Sequence, residues 1–144
     1  MKQHKDDWAR EELCKAMYIA NLAHTGQYRR GGLIPYIRHV EDVVKRVSRL
    51  AEPFQSVAYL HDVLEDTPWT ADDLRSEGIS EPVVVAVIAL TKTEGYDYDE
   101  YLVGVKGNHL ARQVKIADMQ SNLSDNPTNK QILKYSKGLA FLIN

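Results

Sequence analysis

Apolar residues in this chain recur at helical rather than strand spacing, and that periodicity limits the fold more than any other feature. Leu13, Ala16, Met17, Ala20 and Ala23 form a stripe over residues 6–24, which ends near Thr25-Gly26. A glycine-bearing segment, 26–34, leads to Pro35, suited to the first position of a helix carrying Ile37, Val40, Val44 and Val47 that stops by Pro53. Val57, Leu60, His61 and Leu64 continue the spacing across 54–66 until Thr67-Pro68 ends it. Thr70, followed by Asp72 and Asp73, caps a short helix, and Ser80-Glu81-Pro82 opens another. The run VVVAVIAL suits a buried strand by its β-branched residues, but its capped start and helical surroundings favour a buried helix. Further helices are predicted over 98–106, 108–123 and 129–143. With no repeat, low-complexity stretch or linker, the prediction is a single all-α domain over residues 1–144, a multi-helix bundle.

A chain of 144 residues can bury a sufficient core without disulfides. The single cysteine, Cys14, excludes an internal disulfide and a cysteine-based zinc site; its place in the first helical pattern predicts core packing in a reducing compartment. No signal-like or membrane-length apolar stretch is present, so a cytoplasmic setting is expected. A formal net charge of −2 gives no bulk attraction to nucleic acid or anionic lipid, which leaves a small molecule as the expected partner and no signature of oligomeric state. Charge is nevertheless uneven. Residues 13–40 contain Lys15, Arg29, Arg30 and Arg38 without one carboxylate, whereas 61–81 contain seven carboxylates and only Arg75 as a base. A basic loop and an acidic segment are therefore expected to face one another across a site.

The stretch HDVLEDT, 61–67, is the most informative. On one continuous helix His61 and Glu65 are i, i+4 neighbours, as are Asp62 and Asp66. Like charges there repel, and carboxylates near a helix C-terminus oppose its dipole by about 0.3–1 kcal/mol each. A bound cation reverses that sign. Asp118 continues the line of Ala111 and Val114, so it is expected to face inward, where it needs a cation or a proton. Lys115, one turn before it, is either that structural partner or a cation for a substrate. His39 lies at the edge of the Ile37/Val40/Val44 stripe. Together His39, His61, Asp62 and Asp118 offer a mixed nitrogen and oxygen donor set suited to Mn²⁺, Fe²⁺ or Zn²⁺. Such a cation activates water and polarises a phosphoryl oxygen, which points to hydrolysis of a phosphate ester or anhydride, with Glu65 and Asp66 placed to orient water or move its proton.

Four blocks, AHTGQYRRGGLIPYIRHV, AYLHDVLEDT, ALTKTEGY and VKIADMQSNL, occur in this order and span about residues 22–123. In them the chain resembles the HD-domain phosphohydrolases, and within these the RelA/SpoT-type hydrolases of the alarmone (p)ppGpp. The resemblance implies an all-α HD-domain bundle, Mn²⁺ ligation by His39, His61, Asp62 and Asp118, and catalytic roles for Glu65 and Asp66. It also implies nucleotide contacts from Arg29 and Arg30 and a ribose contact from Asn122. Lys115, Asp118 and Asn122 share one helical face by their spacing, so Lys115 joins the expected substrate contacts. The chain departs from the family's ADRLHN pattern at Met119 and Ser121, beside the expected substrate contacts. The expected reaction is Mn²⁺-dependent removal of the 3′-diphosphate of ppGpp or pppGpp, giving GDP or GTP and pyrophosphate, by a stand-alone small hydrolase. The departures raise two alternatives: an HD-domain phosphohydrolase for another nucleotide, such as an adenosine alarmone, a nucleoside phosphate or the 2′-phosphate of NADPH; or a nucleotide-binding regulator without turnover.

Overall fold

A computed structural model describes residues 5–29 and 31–144, with side chains from residue 7 onward. The helices are α1 (Lys5–Ala23), α2 (Ile37–Arg46), α3 (Glu52–Leu60), α4 (Val63–Asp66), α5 (Ala71–Ser76), α6 (Glu81–Leu90), α7 (Tyr98–Lys106), α8 (His109–Leu123) and α9 (Asn129–Ile143). Among the described residues the only extended pairing is an isolated antiparallel bridge between Tyr28 and Pro35. The expected all-α class is therefore observed. No helix among the described residues is long and apolar enough to cross a membrane.

Local chemistry explains most boundaries. Glu52 and Pro53 occupy the first turn of α3, where proline lacks only an N–H that would have no helical partner. Pro53 thus begins this helix within its first turn. Thr70 and Asp73 form a reciprocal capping box on α5, and Thr128 and Gln131 form another on α9. The ambiguous valine run is helical: Val83, Val84, Ala86, Val87 and Leu90 are buried, while Val85 and Ile88 face outward.

α3 lies at the centre, packed against α1, α2, α6 and α8, and α8 in turn packs against α2, α3, α6, α7 and α9. Val57, Ala58 and Leu60 of α3 meet Val43, Val84, Val87, Ala111 and Val114 in one continuous core. The core therefore converges on the end of α3 and the middle of α8, the two places that carry the acidic and imidazole groups of the motif blocks.

Two expectations are corrected. The helix predicted over 54–66 breaks after Leu60, with His61 and Asp62 in a turn before α4. Cys14 is exposed, as are Met17, Tyr18 and Leu22; the buried face of α1 is Glu12, Ala16, Ile19 and Ala20. The face is rotated because Glu12 points inward, where its carboxylate accepts from Ser80 N at 3.0 Å and so caps α6 from another helix. On either side of residue 30 the chain turns back on itself, where Arg29 N donates to Ile34 O at 2.8 Å and Tyr36 N to Gln27 O at 2.8 Å. Gly31 and Gly32, at φ of +83° and +70°, supply the left-handed backbone that this reversal requires.

Candidate active site

The break between α3 and α4 is what assembles the site. Consecutive residues of an α-helix point about 100° apart, so an unbroken helix would send His61 and Asp62 in different directions. Asp62 instead adopts φ −106° and ψ 0°, outside regular helix geometry, while Asp66 N still donates to Asp62 O at 2.9 Å. His61 Nδ1 donates to the Ala58 carbonyl at 2.7 Å, which leaves Nε2 directed at the carboxylates. His61 Nε2 lies 2.9 Å from Asp62 Oδ2 and 3.5 Å from Asp118 Oδ1.

His39, from α2, approaches from the other side. Its Nε2 is 2.9 Å from Asp118 Oδ1, and its Nδ1 is 3.1 Å from Ser121 Oγ. Donor atoms of His39, His61 and Asp62 all lie within 4.8 Å of one another. His39, His61 and Asp118 are buried, and Asp62 is nearly so. The Nε2 of His61 has no well-directed hydrogen bond despite its two close carboxylates. A buried nitrogen without a directed donor or acceptor, amid a second imidazole and two carboxylates, fits a divalent transition metal, so this cluster could hold one. A second set, Asp62, Glu65 and Asp66, shares Asp62 and is more exposed.

Electrostatics at the cluster are those of a cation site. Burial alone would lower the His61 pKa, but Asp62 and Asp118 hold it well above the usual histidine range. Burial alone would raise Asp118, but the Lys115 ammonium, 2.9 Å away, and the two histidines hold it well below the carboxylate range. Asp62 is likewise lowered, against burial, by His61. Asp66 goes the other way: burial, then Asp62 and Glu65, push its pKa up to about 6.

A cleft of about 350 Å³ opens above the cluster. Its walls carry Arg29, Lys92, Lys115 and Asn122 together with Glu65 and Asp66, so the basic loop and the acidic segment do share one cavity. Glu65 Oε1 accepts from Lys92 N at 2.7 Å. Arg29 Nη2 bonds Asn122 Oδ1 at 3.3 Å and pairs with Asp125 at 3.1 Å. Asn122 Nδ2 reaches Asp118 Oδ1 at 3.4 Å, so one amide links the arginine to the cluster. Every expected site residue within the described region thus reaches this cleft, and Arg30 lies outside the described residues. Lys115 holds both positions foreseen for it, pairing Asp118 and lining the cleft.

Several contributors were not among the expected site residues. The Tyr36 hydroxyl donates to Asp62 Oδ2. Gln27 Nε2 donates to Asp66 O at 2.9 Å, and its Oε1 meets His24 Nδ1 at 2.7 Å. Their signal was present in the first motif block, where Tyr36 and Gln27 stand at fixed distance from His39 and Arg29. Tyr28, Leu90, Lys92 and Tyr135 complete the walls. The two departures from the family pattern also find their places. Ser121 is buried against His39, and Met119 is fully buried facing α9, where the side chain leaves the cleft untouched.

No family model matches the chain. Two curated relatives are each named guanosine-3′,5′-bis(diphosphate) 3′-pyrophosphohydrolase. The one from Haemophilus influenzae is 44% identical over 61 residues, covering 41% of this chain and 9% of its own length. The one from Borreliella burgdorferi is 34% identical over 91 residues, covering 62% of this chain and 13% of its own length. The chain therefore spans only about a tenth of the curated relatives it matches. A solved structure, described as a metazoan ortholog of SpoT that hydrolyses ppGpp and plays a role in starvation responses, is similar with a TM-score of 0.76. At 22% identity it covers 100% of this chain and 88% of that one, which shows a shared fold. These findings support the SpoT-type resemblance read from the four blocks.

Proposed function

We propose that this chain hydrolyses ppGpp and pppGpp at the 3′-diphosphate, releasing pyrophosphate and GDP or GTP, with residues 1–144 acting as one hydrolase domain. One observation carries the reading: two imidazoles and two carboxylates converge at the floor of a cleft whose walls hold both a carboxylate pair and the cations Arg29, Lys92 and Lys115. The names of the curated relatives supply the substrate. His39, His61, Asp62 and Asp118 would hold Mn²⁺, or another divalent transition metal. Such a cation, when bound, polarises a phosphoryl oxygen and lowers the pKa of water in its coordination shell.

The remaining steps belong to the side chains. Glu65 is fixed through one oxygen by Lys92 N, leaving the other to orient water and accept its proton. Asp66, with a pKa near 6, exchanges a proton close to neutral pH and serves the leaving group. Arg29 and Lys115 offset phosphate charge; two unit charges 4 Å apart interact by about 4 kcal/mol at an effective dielectric of 20. Asn122, bonded to Arg29, faces the sugar. The exposed free thiol of Cys14 fits a reducing, cytoplasmic setting.

The test is a panel assay with Mn²⁺ in which ppGpp, an adenosine alarmone, a nucleoside phosphate and NADPH are scored for phosphate and pyrophosphate release. Metal content is measured on the same preparation. Pyrophosphate from ppGpp is expected; intact ppGpp with metal retained overturns the assignment.

A further inference from the structure

The Glu65-Asp66 pair sits on α4, a single turn, and a helix of that length has no stability of its own in water. Its position must come from contacts outside it. Glu65 is anchored through its carboxylate by Lys92 N. Asp66 ends the helix, so its carbonyl has no helical partner. The side-chain amide of Gln27 supplies one from the loop after α1, Nε2 donating at 2.9 Å across 39 residues of sequence.

Chemistry fixes which way that amide faces. A carbonyl can only accept, so the amide nitrogen points at Asp66 and the amide oxygen at His24 Nδ1, 2.7 Å away. Nδ1 therefore carries a hydrogen. His24 is buried just beyond the last residue of α1, and burial holds its pKa below the ordinary histidine value, so the ring is neutral. Its Nε2 is buried without a partner among the described residues, which leaves Gln27 as the group that the ring bonds.

The main chain of Gln27 reaches the other arm of the site. Gln27 O accepts from Tyr36 N at 2.8 Å, and the Tyr36 hydroxyl donates to Asp62. Gly26, at φ of +80° and with open space where a Cβ would stand, makes the turn that brings Gln27 round after α1. Resting on the hydrolase reading above, we infer that Gln27 is a positioning residue: its amide, locked by His24, sets the Glu65-Asp66 pair over the histidine and aspartate cluster. Gln27 stands behind the cleft wall, so it acts through α4 and not on the nucleotide. Arg29 follows two residues later on the same loop, so phosphate contact and proton transfer share one anchor.

Two substitutions in the full chain test this. Gln27→Met keeps the length of the side chain and removes both bonds. Its kcat for ppGpp with Mn²⁺ should fall about tenfold or more, with KM and metal content unchanged, because the proton-handling pair is displaced and the substrate contacts are not. Gln27→Glu keeps the shape and the acceptor but, once ionised, cannot donate to Asp66 O. Its deficit should be similar at about pH 8 and recover toward the wild-type value by about pH 5.5, where a protonated carboxyl again donates to Asp66 and accepts from His24. Taking the ratio to wild type at each pH cancels the titration of Asp66 itself. Hydrogen exchange over residues 61–69, measured without metal or substrate, should speed up about threefold or more in Gln27→Met, with α6 unchanged. A Gln27→Met kcat near the wild-type value overturns the inference, as does a Gln27→Glu deficit that persists in acid. Metal lost in step with kcat assigns Gln27 to the support of Asp62 and overturns it too. Unchanged exchange over 61–69 overturns it whatever the turnover. Faster exchange in a chain that leaves ppGpp intact supports the anchoring of α4 and removes the reaction instead.

Discussion

Glu65 reaches the cleft with one oxygen already engaged by Lys92 N, whereas Asp62 sits outside regular helix geometry and sets its carboxylate 2.9 Å from His61 Nε2. Under the proposed function, that difference gives Glu65 the proton and Asp62 the metal. Glu65→Gln keeps an acceptor for Lys92 N and loses the base, so kcat should fall by about 10²-fold or more while the Mn²⁺ content of purified protein stays at the wild-type level. Parallel loss of metal would instead make Glu65 a ligand. Tyr36→Phe acts one contact further out. It removes the hydroxyl that donates to Asp62, and Mn²⁺ titration should show affinity weakened about 10–100-fold. An unchanged affinity would take Tyr36 out of the support of the site. At this scale the sequence was most readable where chemistry is local: His61 and Asp62 are adjacent, and their residue types declare a donor pair. Ser121 was not readable as a partner for His39, because 82 residues separate them and only the packing of α2 on α8 brings them together.

Helices were legible where period and cap agreed. α6 illustrates this, since Pro82 in its first turn and burial at 83, 84, 87 and 90 outweigh the strand preference of its valines. The interruption after Leu60 was hidden, because Val57, Leu60, His61 and Leu64 keep helical spacing across it and no glycine or proline marks it. The buried face of α1 was misjudged for a related reason. A glutamate reads as solvent-facing by type, yet Glu12 is drawn inward to satisfy an N–H at the start of α6. Where capping is local, its contribution can be stated in advance. Thr70→Ala removes the hydroxyl that accepts from Asp73 N, one half of a reciprocal cap remote from the cleft, leaves the backbone N–H at 70 to the Asp73 carboxylate, and should destabilise the fold by about 1 kcal/mol in urea unfolding, with turnover unchanged. A loss below about 0.3 kcal/mol would mean that α5 is held by Leu74 packing alone.

For the molecule as a whole, the opposed charges visible in the sequence become a proton-linked switch in stability. In chelator-treated protein, His61 is held above its ordinary 6.5 by Asp62 and Asp118 despite burial; that stabilisation is complete below 6.5 and is lost as pH rises through the raised value. Asp118 and Asp62 are held below 3.8 by Lys115 and His61 despite burial; their stabilisation is complete above 3.8 and is lost as pH falls through the lowered values. The metal-free Tm should therefore plateau between these limits and decline on the alkaline side. Mn²⁺ must displace the His61 proton, so the Tm increase it confers should grow with pH. A metal-free Tm that climbs between pH 6.5 and about 8.5 would contradict this linkage. The near-neutral total of the sequence concealed all of this, because it sums charges that the fold keeps apart.

α9 stands against α8 at Gly138, where a Cβ would come within 2.7 Å of the methyl of Met119, itself fully buried. The missing side chain works as the thickness of a shim. Tyr135 lies one turn earlier on the same helix and walls the cleft, while Met119 follows Asp118 directly. The place of the Tyr135 wall is thus set from behind, by a glycine and a methionine that lie outside the cleft, and added volume at either position would shift that wall.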